Sequence, residues 1–264
     1  IIFFWAGKLP AAPLFSSVPF GPEAGEYMAW IYYGNGWKLC QEMYDKAGYK
    51  VKTIPAVILA PETSGWFTKP IKSPADLKGM KMRFYGYGGK AMQKLGMNIT
   101  LLPAAELFPA LEKKVIDATE FSMPTIDMRL GFYKIAKYNY FPGWHQQATI
   151  IDLLVNKGKW AKASKSQKKM IEMAAMASMT NSMASGEATQ GPVIKGNIKK
   201  RGVKAMYWSP EFLASFKAKW LEVAKELEAK DAFFKKAFAD FNKFRAEYAY
   251  WQNLGFLPRN CKAK

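Results

Sequence analysis

Three positions in this sequence carry residue types that could bind a small charged solute. Arg83 lies in the run Lys78-Gly-Met-Lys-Met-Arg-Phe-Tyr-Gly-Tyr-Gly-Gly-Lys90, near the end of a short apolar strand and just before a glycine turn. A guanidinium pairs with a carboxylate through two parallel hydrogen bonds, which the compact charge of lysine cannot reproduce. In open α/β sheets ligands lie at the carboxyl ends of the strands, so Arg83 reads as the anchor for a small organic acid. The plainer reading is an arginine paired with a neighbouring Asp or Glu. Glu62, in Pro61-Glu-Thr-Ser-Gly65, and Glu120, in Asp117-Ala-Thr-Glu-Phe-Ser122, each end an extended segment. If both edges face one cleft, three outcomes are open. The carboxylates could pair with Arg83 or nearby lysines, act as a general acid–base pair, or hold a hard cation that in turn binds solute oxygens.

Other motifs carry less. Gly86-Tyr-Gly88-Gly89-Lys-Ala91 formally fits a dinucleotide-binding turn, but the next strand runs into Pro103 without an acidic residue for the ribose. It is better read as a backbone nest facing an anion, or as a tight turn. No G-x-S-x-G elbow occurs, and His145 is the only imidazole, which argues against a nucleophilic triad or a zinc site. The pair Trp144-His145, after Phe141-Pro-Gly143, could line a pocket. Cys40 and Cys261 form no CxxC, leaving two free thiols or one bridge.

The elements that must position these residues follow from periodicity. A helical stretch over 26–47 is interrupted by Gly34-Asn-Gly36, and β-branched residues over 49–60 predict a strand. Ser73-Pro-Ala-Asp76 is a capping box for a short turn. Strands at 81–85, 98–102 and 115–121 alternate with helices at 89–95 and 104–114, predicting a parallel sheet with right-handed crossovers. A further strand at 148–156 is apolar enough to be buried. The last third is helical. Met170, Met173, Met176, Met179 and Met183 mark a face over 166–185 that reads as core packing rather than a copper ladder. Ser209 and Asp231 cap two more helices, the second with an aromatic stripe from Phe234 to Trp251.

The chain has 264 residues, with 39 Lys+Arg against 21 Asp+Glu and a net charge of +18. Such a charge favours anionic partners. The bases are scattered over polar helix faces, and no nucleic-acid motif accompanies them. No apolar run reaches the roughly 20 residues of a membrane helix. The opening Ile1-Ile-Phe-Phe-Trp5 has no initiator Met and no signal-peptide pattern, so the chain reads as starting inside a folded domain.

From Trp5 to Trp251 the sequence resembles the solute-binding proteins of tripartite ATP-independent periplasmic (TRAP) transporters, DctP type. It is most similar to the branch that binds 2-oxo and 2-hydroxy monocarboxylates. The stretches that carry the resemblance include Val18-Pro-Phe-Gly21, Ile71-Lys-Ser-Pro-Ala-Asp-Leu-Lys-Gly79, Lys81-Met-Arg-Phe84, Leu107-Phe-Pro-Ala-Leu-Glu-Lys113, Ile116-Asp-Ala-Thr-Glu120, Tyr140-Phe-Pro-Gly-Trp144 and Phe244-Arg-Ala246. It implies an α/β, two-lobed periplasmic-binding-protein-like fold with a hinge and a long lobe-spanning helix. Residues 1–61 with 147–195 would form lobe I, incomplete at its N-terminal part, and 62–146 with 196–264 lobe II.

The resemblance also implies roles. Arg83 falls on the carboxylate-binding arginine, while Glu120 and the carbonyl of Phe121 fall on ligands of a sodium or calcium ion that touches the bound acid. Glu62 falls where relatives carry Gln, and Gln146 where they often carry Glu. If both touch the cation, the paired exchange preserves total negative charge. Trp5, Tyr87, Phe121 and Trp144 are expected as aromatic walls. The expected partners are a small organic acid, the membrane permease and, through the last helix, a second copy of the chain; nucleic acid is not among them. The expected compartment is the periplasm. The alternative is a carboxylate-dependent enzyme using Glu62 and Glu120 as an acid–base pair.

Overall fold

The computed structural model describes residues 2–257, the side chain of Phe3 excepted. Cys261 and the basic tail 262–264 lie outside the described residues. Two 3-10 turns, Ile2–Trp5 and Ala12–Phe15, lead into α1 (Ala24–Tyr33), α2 (Gly36–Lys46) and β1 (Val51–Leu59). The chain then forms β2 (Gly65–Phe67), β3 (Lys81–Arg83), α3 (Gly86–Lys94), β4 (Asn98–Thr100), α4 (Ala104–Glu112), β5 (Ala118–Thr119), α5 (Pro124–Leu130) and β6 (Tyr138–Phe141). It returns through β7 (Thr149–Asn156) and α6 (Lys157–Lys162) to α7 (Lys165–Arg201), β8 (Lys204–Tyr207), α8 (Pro210–Lys230) and α9 (Ala232–Gly255).

Two sheets define a mixed α/β, two-lobed architecture. β1 and β7 pair antiparallel, and β4-β3-β5-β2-β6-β8 form a second, six-stranded sheet. Within the larger sheet β3 runs parallel to β4 and β5, as the alternating pattern predicts, and β6 parallel to β8. β2 departs from that expectation and pairs antiparallel with β5 and β6. It is fed directly from β1 by a crossing segment, with no helix to reverse its direction. The β1–β7 ladder shifts register between Pro55 and Val57, where proline has no N–H to donate.

Two expectations about burial need correction. β7 is not wholly buried: Leu153 and Leu154 are 43% and 44% exposed, because among the described residues β7 has β1 as its only ladder partner. The methionine face of α7 is also mostly outside the core. Met170, Met173 and Met176 are exposed, while Met179 is buried and Met183 packs at the core's edge.

α7 starts at a Ser164–Gln167 capping box and ends at Gly202, which is left-handed with φ +69°. It continues well past the expected end near 185, through Gly191-Pro192, for 37 residues, about 55 Å at the α-helical rise. Its earlier part packs on β1, with Gly186 so close to Ala60 that an added Cβ would come to 3.0 Å of the Ala60 Cβ, and its later part meets α5 and β8. The helix therefore spans both lobes. α9 docks back on α1 and α2, with Phe241 against Tyr27 and Trp30 and Trp30 Nε1 donating to Asp240, while Phe234 and Phe238 pack on Tyr87 of α3 and Trp220 of α8.

Candidate functional site

The site is built where the chain crosses between the sheets. Arg83 ends β3 and Glu120 directly follows β5, its parallel neighbour, so both emerge at one carboxyl edge. Their backbones are joined by the Glu120 N–H donating to the Arg83 carbonyl at 3.0 Å. Glu62 sits on the crossing from β1 to β2, and His145 and Gln146 on the crossing from β6 to β7. The Glu62 N–H donates to the Gln146 carbonyl at 3.2 Å. Gly143 allows this approach: a Cβ there would lie 2.0 Å from the Glu62 carbonyl oxygen.

All five polar side chains are buried, Arg83 to 1% exposure and Glu120 to 0%. Arg83 Nη1 donates to the Glu120 carbonyl and, at 3.1 Å, to Glu120 Oε2. The plain ion-pair reading of Arg83 is thus correct as far as it goes, yet Arg83 Nε and Glu120 Oε1 have no hydrogen-bond partner. Buried charged groups are rarely left so. His145 Nε2 stands 3.7 Å from Glu62 Oε2 and 3.6 Å from Glu120 Oε1, close enough for charge attraction but beyond hydrogen bonding. Gln146 Nε2 donates to Glu62 Oε2 at 3.0 Å and to the Tyr85 hydroxyl at 2.5 Å, while its Oε1 accepts from Thr149 at 2.9 Å.

The charges follow from these neighbours. Burial raises the Glu62 carboxyl to about 8, with nearby Glu120 adding to the rise and His145 opposing it. Burial also works against charge on Glu120, but Arg83 and His145 hold it below the ordinary carboxylate range. For His145 burial favours the neutral ring, and the two carboxylates outweigh it, raising the imidazole to about 9. Glu62, Glu120 and His145 offer ligand atoms within 4.8 Å of one another. Two buried carboxylates with an unpartnered oxygen form a hard-oxygen donor set, which fits a sodium or calcium ion.

The aromatic residues divide. The Arg83 guanidinium carbon lies 5.1 Å from the Phe121 ring and 4.8 Å from the Tyr85 ring. Trp144 is buried among Phe20, Phe84 and Phe216, next to His145. Tyr87 is committed elsewhere: its ring stacks on Trp220 and its hydroxyl donates to the Pro10 carbonyl at 2.5 Å. Trp5 is 42% exposed and packs edge-on against Tyr49, whereas Phe4 reaches the Tyr85 ring at 5.0 Å. Tyr85, His145 as a cluster member and Asp127 are absent from the sequence-based ligand set. Tyr85 carried a usable signal, since residues two apart on an extended strand share a face with Arg83.

A two-lobed α/β body with a charged, enclosed cluster where the chain crosses between lobes defines a solute-binding protein. Residues 4–231 match the model of the DctP family, bacterial extracellular solute-binding protein family 7, and the chain belongs to that family. It is 33% identical over 255 residues to a monocarboxylate 2-oxoacid-binding periplasmic protein of Nostoc sp., covering 97% of this chain and 69% of that one. A TRAP periplasmic solute-binding protein from Colwellia psychrerythraea, solved with bound calcium and pyruvate, superposes with a TM-score of 0.91 at 31% identity, covering 96% of this chain and 77% of that one. One from Pseudoalteromonas atlantica T6c, solved with bound sodium and pyruvate, gives 0.90 at 30% identity over the same shares. The chain is a periplasmic solute-binding protein of a TRAP transporter, and its work is capture rather than catalysis.

Proposed function

We propose that this protein captures a 2-oxo or 2-hydroxy monocarboxylate together with a sodium or calcium ion and delivers it to the membrane permease. The observation that carries the reading is the pairing of unmet groups at one buried point, Arg83 Nε on one side and Glu120 Oε1 beside Glu62 on the other. Arg83, held by cation–π contacts with Phe121 and Tyr85, would bind the solute carboxylate. Glu62, Glu120 and the carbonyl of Phe121 would hold the cation, and Gln146, whose amide N–H₂ here meets Glu62, would join them through its side-chain oxygen once the amide turns over. When bound, the cation supplies a second positive centre for the carboxylate and the adjacent oxo or hydroxyl oxygen. Two positive centres on neighbouring oxygens select such acids over plain fatty acids. Phe121, Trp144 beside His145, and Phe4 would limit the alkyl end; the packing of Tyr87 and Trp5 gives them weaker support as walls.

Lobe I then comprises 1–61 with 147–195, and lobe II 62–146 with 196–264. The separate sheets support this division, with α9 reaching back to brace lobe I. Tyr250, Trp251, Leu254 and Leu257 are exposed at the end of α9 and support pairing of two copies through that helix.

Calorimetric titration with pyruvate, lactate and acetate, each with calcium present, tests the ligand assignment. Pyruvate and lactate are expected to bind at least tenfold tighter than acetate. Equal affinity for acetate would overturn the two-centre reading.

A further inference from the structure

Asp127 lies in α5, outside the ligand set, and is buried to 0% exposure. Its Oδ1 accepts the Ser122 backbone N–H at 3.0 Å, two residues after Glu120. Its Oδ2 accepts Trp66 Nε1 at 2.8 Å and lies 3.5 Å from the hydroxyl of Thr63, the residue after Glu62. The two segments it joins also meet through the Thr63 N–H and Ser122 carbonyl at 3.4 Å. One carboxyl group therefore ties the backbone just after Glu120 to the side chains of Thr63 and Trp66, which follow Glu62 in the chain. Neither of its oxygens is without a donor.

We infer that Asp127 is a positioning residue that sets the spacing between Glu62 and Glu120, and through it the affinity for the cation. The inference rests on the reading that those two glutamates hold a cation. Asp127 touches neither glutamate and acts through the Ser122 backbone on one side and the Trp66 and Thr63 side chains on the other. Groups in this outer position typically govern metal affinity by 10- to 100-fold. Asparagine at 127 keeps the shape but replaces one accepting oxygen by an amide N–H₂, which must face either the Trp66 or the Ser122 donor.

The test is calorimetry on the full chain with calcium and pyruvate as probes. Asp127→Asn is expected to weaken calcium binding, measured with pyruvate in excess, by about 10- to 100-fold. Pyruvate affinity at saturating calcium should stay within a few fold of the parent, since Arg83 is untouched. Trp66→Phe, which removes one donor, should give a smaller loss of calcium affinity in the same direction. It carries the test alone if Asp127→Asn fails to fold. Calcium affinity unchanged in the variants, or an equal fall in calcium and calcium-saturated pyruvate affinity, overturns the inference while the cation reading stands. Pyruvate binding by the unsubstituted protein that ignores both calcium and sodium overturns both together.

Discussion

Asp127 and Glu120 are both fully buried carboxyl groups seven positions apart, and their surroundings differ in one respect. Donors reach both oxygens of Asp127, from Ser122 and Trp66. Glu120 receives Arg83 on Oε2, while its Oε1 is left unpartnered beside His145 and Glu62. Burial drives the Asp127 carboxyl well above its ordinary range, whereas Arg83 and His145 keep Glu120 ionised. A buried polar group with its bonds complete serves the scaffold; one with charge and an open valence is prepared for something that arrives later. The contrast separates frame from binding surface within a single loop and helix.

Arg83→Ala should sharpen the contrast most. It leaves the buried Glu120 with only His145 beside it and no hydrogen-bonded cation, expected to cost about 3–5 kcal/mol of stability, and it should abolish pyruvate binding. Urea unfolding and calorimetry on the same preparation check both effects. Glu120→Gln comes next: it removes the ionised acceptor and should reduce cation-dependent affinity by about 1.5–3 kcal/mol. Retained calcium dependence in that variant would break the assignment of Glu120 as a ligand.

A pH series gives a smaller effect with a defined sign. His145 is raised from 6.5 to about 9 and Glu62 from 4.5 to about 8, so the folded state holds more protons than the unfolded chain across these intervals. Stability from His145 is complete below pH 6.5 and lost as pH rises through 9; that from Glu62 is complete below 4.5 and lost through 8. Without added cation, Tm should therefore fall as pH rises from 6.5 to 9. Calcium should restore it on the alkaline side, where both groups have released their protons. A Tm that rises over this interval without cation would contradict the protonation pattern. The smallest change is Tyr85→Phe, which removes the hydroxyl at Gln146 and should cost about 0.5–1.5 kcal/mol of solute affinity.

The sequence made the frame legible wherever local chemistry is decisive. The Ser73 and Asp231 caps, the alternation from 81 to 119 and the glycine break between α1 and α2 each depend on neighbours in the chain. β2 was not legible, because its antiparallel course is set by partners that arrive about 50 and 70 residues later, in β5 and β6. The methionines of α7 misled because helical spacing fixes which residues share a face without telling what covers it. At the site, Arg83, Glu62, Glu120 and Gln146 could be named from motif and resemblance. The bridging role of Asp127 could not, since its indole partner lies 61 positions upstream. Tyr87 shows the converse. The resemblance makes it an aromatic wall, and the first turn of α3 directs it to Trp220 and Pro10, packing that depends on residues far away in the chain.

The most direct measurement is a crystal structure of the protein with calcium and pyruvate, with the ion located by its anomalous scattering. The expected result is one calcium peak between the Glu62 and Glu120 carboxylates, with the pyruvate carboxylate on the Arg83 guanidinium. Pyruvate bound elsewhere, or a site holding pyruvate on Arg83 with no ion between those glutamates, would contradict the account.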